Sequence, residues 1–477
     1  MTSRPAHSPS VAIVGGGLAG LAAGCALADV GFQVTLFERR PYLGGRASSY
    51  QHPGTGEIVD NCQHVLLGCC TNLIQFYERL GVQDKIRWYD RLTFLEPGGR
   101  ASIVATSGLP APLHTAPSFL RVSCLSFADK IVIARAMFTL AFDQEFQSSA
   151  RHSAQTGESF LSWLQRHDQT PRAIDRFWKT ILVSALNEDL DRVSVRYAAQ
   201  VVRESFLKSP QAGCMGVPTV PLTELYSVAG DYIQSRGGEL RLRSSVEGFE
   251  PETSGVRLFA DKNQDFDFVI LAASFDVLSR ILPQTGDADA LRSELNHFES
   301  SPITGIHMWF DRQITDLDHA VLLERTIQWM FHKSKLLTSS QAVEREGKGS
   351  YVELVVSSSK TLVEKSKAEI VELALKELRE FFPAARDANL VKSTVIKEVN
   401  ATYSPSPGLD AYRPKSETVW PNIFLAGDWI ATGWPATMEG AVRSGYIAAE
   451  RVSKASGRNA KFLVPDLPAS GLMRVLS

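Results

Sequence analysis

The first strong pattern along the chain is an apolar run, Val11-Ala-Ile-Val14, of the length and residue type of a buried strand. It leads into Gly15-x-Gly17-x-x-Gly20, and helical spacing follows from Leu21 to Leu27. A second apolar run, Gln33–Phe37, closes on Glu38. Strand, glycine turn, helix and strand together predict a βαβ unit. Helical spacing returns at Leu73, Phe76, Tyr77 and Leu80 and stops at Gly81. Residues 88–105 read as a strand pair around Pro97-Gly-Gly99. A long apolar-rich helical stretch covers 117–142, with Phe119, Leu120, Ile131, Ile133, Met137 and Phe138. Further helical patterns run through Phe160–Trp163 and Phe177–Leu182. After Gly216-Val-Pro218 the pattern predicts a helix to Arg236, then strands at 239–243 and 268–271. Thr304–Phe310, Gln328–Phe331 and Tyr351–Val356 alternate like strands of one sheet, with an amphipathic helix over 361–382. A last buried strand ends at Gly427-Asp428, and a helix runs from near Thr437 to about Val452.

At 477 residues and 44% hydrophobic content the chain is comfortable for two domains. The formal net charge is −2, and the basic residues are scattered, which argues against a nucleic-acid partner. The six cysteines, Cys25, Cys62, Cys69, Cys70, Cys124 and Cys214, match no metal-ligand spacing and read as free thiols in a reducing cytosol. No metal site is expected. No apolar run reaches 18 residues, and the polar N-terminus does not read as a signal peptide.

The glycine turn carries the first chemistry. Gly15 permits the tight turn, Gly17 lets a pyrophosphate approach the backbone, and Gly20 lets helix and strand pack closely. Phosphates sit where the helix N-terminus presents free N–H groups. Glu38, 18 residues past Gly20, can accept hydrogen bonds from the ribose hydroxyls of an adenosine. No second Gly-x-Gly-x-x-Gly unit appears, so a dedicated nicotinamide site is not supported.

Glu38-Arg39-Arg40, followed by Gly44-Gly45-Arg46, resembles the FAD signature of the amine oxidase and phytoene desaturase superfamily. The ending from Gly427-Asp428 to Met438-Glu-Gly-Ala441 is similar to that superfamily's second flavin segment. The resemblance implies an α/β fold: a Rossmann-like, glutathione-reductase-like FAD-binding domain with an inserted α+β substrate domain of mixed sheet and helical cap. The FAD domain is expected over 1–85, 213–300 and 401–455, the substrate domain over 86–212 and 301–400, and a tail over 456–477. The resemblance implies non-covalent FAD held by Gly15, Gly17, Ala19, Gly20, Glu38, Arg39, Arg40, Gly44, Gly45, Arg46, Gly427, Asp428 and Met438. It places Arg40 near the ribose, Arg46 near the phosphates and the Val246 backbone at the adenine.

More narrowly, Val59-Asp60-Asn61, Gln63-His64-Val-Leu-Leu-Gly68, the Leu109–His114 loop and His307-Met-Trp309-Phe-Asp311 look like the hydroxysqualene dehydroxylases. That branch implies reductive removal of an allylic hydroxyl from hydroxysqualene, giving squalene for hopanoid-type lipids, with the electron donor unassigned. On this reading His64 is the proton donor, with Asp60 orienting or charging it; for both residues the alternative is a structural role. His307, Trp309, Trp329 and Trp434 are expected along an apolar substrate tunnel, although a hydrogen-bonded structural role is the plainer expectation for His307 and His332. A ferredoxin-like sheet over 302–400 would wall the tunnel. The stripe of 117–142 reads as core, with a membrane-facing lipid entrance as the alternative. The expected location is cytoplasmic, with peripheral contact at the inner face of the cell membrane left open. Two other readings stand: a carotenoid-type desaturase on the same flavin, and a non-enzymatic prenyl-lipid carrier on the same fold. An amine oxidase is disfavoured because no feature for a charged amine stands out.

Overall fold

The computed structural model describes residues 8–54, 56–142, 157–338 and 349–476. Its centre is a five-stranded parallel sheet. The strand order is Glu239–Leu242, Gln33–Glu38, Ser10–Val14, Phe268–Leu271 and Ile423–Leu425. Alternation along the central strand explains the layers. Val11 and Ile13 point into a core shared with helices Leu18–Asp29, Leu222–Gln234 and Met438–Ala455. Ala12 and Val14 point the other way, toward an antiparallel meander, Gly248–Glu252, Gly255–Phe259 and Gln264–Phe266. Both faces of the sheet are covered, so its strands are apolar throughout.

The second large sheet has seven strands rather than the small ferredoxin-like sheet expected over 302–400. Strand Ser300–Phe310 pairs antiparallel with Ser350–Ser357 on one side and Leu390–Tyr403 on the other. Trp329–Phe331 and His319–Leu322 extend it, and the hairpin Arg91–Leu95 and Ala101–Ala105 joins its edge. The 88–105 strand pair thus lengthens the 302–400 sheet, because Val321 and Leu322 pair in parallel with Phe94 and Leu95. Helix Lys367–Phe381 packs on one face, opened by a capping box between Ser366 and Glu369. A helical layer packs nearby through Trp163, Trp178, Ile133 and Leu140.

The stretch expected to be one long helix is broken into Ala116–Arg121 and Phe127–Phe142. Asp129 makes the break: its carboxylate accepts the Ser126 N–H at 2.8 Å and the Ser126 hydroxyl at 2.6 Å, restarting the helix there. Its stripe is only half core. Ile133 is fully buried, but Leu120 and Ile131 face outward. Among the described residues no helix is long and apolar enough to cross a membrane. The six thiols are free, four of them buried.

Candidate functional site

The glycine turn is built as its spacing requires. Gly15 sits at φ +115°, and a Cβ there would lie 2.7 Å from the Ala272 carbonyl oxygen. A Cβ on Gly20 would collide with the Gly15 carbonyl. No side chain caps the helix at Gly17, so its first-turn N–H groups stay available to an anion. Glu38 is buried, and its two oxygens accept the N–H groups of Gly16, at 2.8 Å, and Arg40, at 2.7 Å. Each oxygen keeps a lone pair for a ribose hydroxyl. Arg39 is exposed, whereas Arg40 turns inward and donates to the Gly45 carbonyl at 3.0 Å.

Gly44 and Gly45 both have positive φ and lie against the first turn, where the Gly44 N–H reaches the Gly16 carbonyl at 2.9 Å. The next residue joins the two ends of the chain. Arg46 donates to Asp428 at 2.5 Å across 382 residues of sequence, and to the Ala401 carbonyl at 2.9 Å. The Arg46 side chain keeps 35% of its surface accessible. Yet desolvation is the largest influence on its ionisation, and Asp428, with smaller help from Glu398 and Asp276, raises its pKa overall. An accessible surface that is nonetheless desolvated faces an internal hollow. Gly15, Gly17, Gly45, Val246 and Met438 are also only partly covered. Ala19 is buried, its carbonyl pressed against Gly445 of helix Met438–Ala455. The Tyr226 hydroxyl reaches Met438 Sδ at 3.4 Å.

Asp428 is held by a residue the sequence reading missed. Arg413 is buried and donates to the Asp428 and Trp434 carbonyls at 2.9 Å and the Trp429 carbonyl at 3.2 Å, and also to the Ile430 carbonyl and the Tyr197 hydroxyl. It fixes the 428–434 loop by its carbonyls. Nothing in the sequence around Arg413 signals this, because the acceptors are backbone.

The segment Asp60–His64 runs beside this hollow. Asn61 donates to the Arg46 carbonyl at 2.5 Å and tethers it. Here the structure corrects the orienting role expected of Asp60: it makes no hydrogen bond to His64, although its charge raises the His64 pKa against the effect of burial. It accepts from the Ser49 hydroxyl at 2.6 Å, the Leu222 N–H at 3.1 Å and Lys333 Nζ at 2.7 Å. Burial raises its pKa, but Lys333 and these donors hold it below the usual carboxylate range. His64 bonds its Nδ1 to the Cys62 carbonyl at 2.8 Å, so Nδ1 is the protonated nitrogen. Burial lowers its pKa, which leaves the ring neutral at pH 7 with Nε2 as an acceptor. That geometry suits a base and not the proton donor expected from the sequence.

Lys333 and Glu353 are the other missed residues. Lys333 Nζ touches Asp60, Gln63 Oε1 at 2.8 Å and Glu353 at 3.3 Å, all of them buried. One buried cation faces two buried carboxylates, so a neutral cluster needs one carboxylate protonated. Burial pushes Glu353 up to about 7 while Lys333 pulls it down, and Glu353 is that carboxylate. A glutamate inside the apolar run Tyr351–Val356 was a visible signal; Lys333, after Phe331-His332, was not.

Of the four residues expected along a tunnel, His307 and Trp309 lie together, their ring centroids 6.2 Å apart, while Trp329 and Trp434 sit in separate clusters. His307 is fully buried behind Asn61 and Cys62, with Nδ1 2.8 Å from the Tyr351 hydroxyl, and burial drops its pKa to about 3. Trp309 stacks on Tyr351 at 4.4 Å in a small cluster with Val59. Trp434 packs with Cys69 and Ala212. Trp329 alone is partly open, near Cys62, Met215 and Val355, and its Nε1 donates to Ser184 Oγ at 2.8 Å. His332 is buried, its Nε2 3.2 Å from Ser350 Oγ.

A parallel sheet with a glycine turn, an adenosine-side acid and a second segment closing on the first defines a dinucleotide-binding oxidoreductase fold. Residues 18–453 match the model of the flavin-containing amine oxidoreductase family, and the chain belongs to that family. It is similar to the probable zeta-carotene desaturase of Synechococcus elongatus, with 26% identity over 93% of this chain and 98% of the relative. It is likewise 27% identical to the 15-cis-phytoene desaturase of the same organism, over 93% and 95% of the two chains. In fold it is similar to cyclohexylamine oxidase from Brevibacterium oxydans, with TM-score 0.70, 18% identity, and coverage of 95% of this chain and all of that one. The cofactor is FAD, and the open glycine turn, the spare lone pairs of Glu38 and the hollow beside Arg46 fit it.

Proposed function

We propose that the protein carries out FAD-dependent redox chemistry on an acyclic isoprenoid, and that the reaction is a carotenoid-type desaturation. The observation that carries this direction is His64: a neutral, desolvated imidazole whose Nε2 is left to accept a proton. The full-length likeness to carotenoid desaturases supports the substrate class. In a desaturation, one carbon gives up a hydride, its neighbour gives up a proton, and the double bond forms between them. FAD supplies the hydride acceptor. His64 takes the proton, Asn61 and the Arg46–Asp428 pair hold the cofactor side, and Cys62, Met215 and Trp329 keep water from the reacting carbons. Asp60 and Lys333 act by holding segment 60–64 in place. The substrate would be drawn from a membrane, with the protein bound peripherally.

A second reading, reductive dehydroxylation of hydroxysqualene, is favoured by segment Val59–Gly68 and by Glu353, which holds a proton near neutral pH beside Gln63. Anaerobic single turnovers separate the two. Oxidised protein mixed with phytoene or zeta-carotene should bleach its flavin and lengthen the polyene. If instead only the photoreduced protein reacts, turning hydroxysqualene into squalene as its flavin reoxidises, the desaturase reading is overturned.

A further inference from the structure

Consecutive side chains point to opposite faces of a strand and do not face each other on a helix. At Cys69-Cys70 the chain is in neither, because the pair lies between strand Leu66–Leu67 and helix Thr71–Leu80. The Cys69 N–H donates to the Ala212 carbonyl at 3.3 Å and the Cys70 N–H to the Leu67 carbonyl at 2.9 Å, so the chain folds back on itself there. Just before the pair, a Cβ on Gly68 would collide with the Gln211 carbonyl, which fixes the approach. Both thiols thereby enter one apolar cluster with Trp434, Ala212, Leu67 and Leu467. Cys69 is buried, its Sγ 3.6 Å from Ser205 Oγ, and Cys70 is partly open. Cys25, Cys62 and Cys124 lie in other cores.

The surroundings decide what such a pair can take. A cysteine at the start of a helix becomes a reactive thiolate when free N–H groups face it. Here that first turn is occupied by a carboxylate: the Asn72 and Leu73 N–H groups donate to Glu439 at 3.2 and 2.8 Å. The Cys69 thiol beside it, then burial, then the Glu439 charge push the Cys70 thiol well above its ordinary value. Soft metal cations bind thiolates and gain little from thiols held protonated. A neutral reagent that accepts two thiols together with their protons fits better. A trivalent organoarsenical is one: its As=O bond is lost, two As–S bonds form, and both thiol protons leave with the oxygen as water. Arsenic stays trivalent, so the step needs no oxidant or reductant. The apolar walls of Leu67, Leu467 and Trp434 suit the organic group.

We propose that Cys69 and Cys70 form a chelating site for trivalent organoarsenicals, which attach first at the open Cys70 and close onto the buried Cys69. The site does not depend on which isoprenoid reaction the flavin performs. Trp434 packs against Cys69 and reports the closure.

Phenylarsine oxide added to the FAD-loaded protein tests it. Intact mass should rise by one phenylarsine group per chain. Two of the six thiols should be masked when the treated protein is unfolded and titrated. Tryptophan emission should change in the wild type and not in Trp434→Phe. Excess glutathione should leave the adduct in place, and 2,3-dimercaptopropanol should remove it. Cys69→Ser and Cys70→Ser should each weaken binding about a hundredfold or more, the advantage of a second tethered ligand. Flavin absorbance and the urea midpoint show that each variant is folded. Folded wild type that takes up no reagent overturns the proposal, as does a serine variant that binds it as tightly as the wild type. Protein that refuses the reagent, yet loses two hydrogen atoms at this pair on peroxide treatment, assigns the pair to disulfide chemistry instead.

Discussion

The turn around Gly15 and the cluster around Lys333 both bury charge, and they do it in opposite ways. At the turn, Glu38 is neutralised by backbone: two N–H groups within a few residues of the glycines or of itself take its oxygens. At the cluster, Asp60, Lys333 and Glu353 neutralise one another across 293 positions of sequence, from Asp60 to Glu353. The first arrangement is local and tolerates few shapes. The second is assembled only when the strand Ser350–Ser357, the short helix Lys333–Leu336 and the strand Ile58–Asp60 meet. Local construction should fail by shape, and distant construction by charge.

Gly20→Ala should show the largest effect. Its Cβ would collide with the Gly15 carbonyl, which is backbone, and press on the buried Ile13 side chain, so we expect no soluble FAD-loaded protein, read as the ratio of flavin to protein absorbance after purification. A yellow, stable Gly20→Ala variant would mean that the turn has slack the geometry denies. Next comes Lys333→Met, which strands the Asp60 charge and should cost about 3–5 kcal/mol in a urea titration. Adding Asp60→Asn should return a good part of that loss. If the double variant is no better than the single one, charge is not what holds the cluster together.

The cluster also titrates. Glu353 ionises at about 7 in the fold against a reference of 4.5. Between those values the folded state holds the extra proton, so this group's contribution to stability is full below 4.5 and is lost as pH rises through 7. His307, at about 3 in the fold, and His319 and His332, at about 4, work in the other direction from their reference of 6.5. Burial keeps them neutral, so their contribution is full above 6.5 and is lost as pH falls toward 4 and then 3. Urea midpoints measured from pH 4 to 8 should show Glu353→Gln flattening the neutral limb alone. An unchanged slope above pH 5 would mean that Glu353 does not keep its proton. The smallest effect belongs to Trp329→Phe, which removes the bond to Ser184 and should cost about 1 kcal/mol with little change in flavin binding.

The same contrast explains what could be read in advance. The βαβ unit, the last helix and the glycine cradle follow from spacing within 40 residues, where one residue's conformation fixes its neighbour's. Hence Gly15, Glu38 and Arg46 were legible by number. Lys333 and Arg413 were not, since a lysine after a strand or an arginine in a loop reads as solvated until distant carboxylates and carbonyls surround it. The tunnel residues Trp309 and Trp434 misled for a related reason. An aromatic near a site is visible in sequence, but which face of the sheet or loop it occupies is not. The outward stripe at Leu120 and Ile131 shows the same limit, because helical spacing marks an apolar face without saying what covers it.

The parallel sheet that carries the glycine turn is closed by Ile423–Leu425, and Arg46 finds its carboxylate only at Asp428. On the ribosome, then, the amino-terminal βαβ unit must wait for nearly the whole polypeptide before its far edge is paired. Synthesis at about 5–20 residues per second makes that a delay of tens of seconds with a sheet edge unmatched. Cellular yield of this flavoprotein should therefore depend on chaperone supply and translation speed more steeply than its equilibrium stability would suggest.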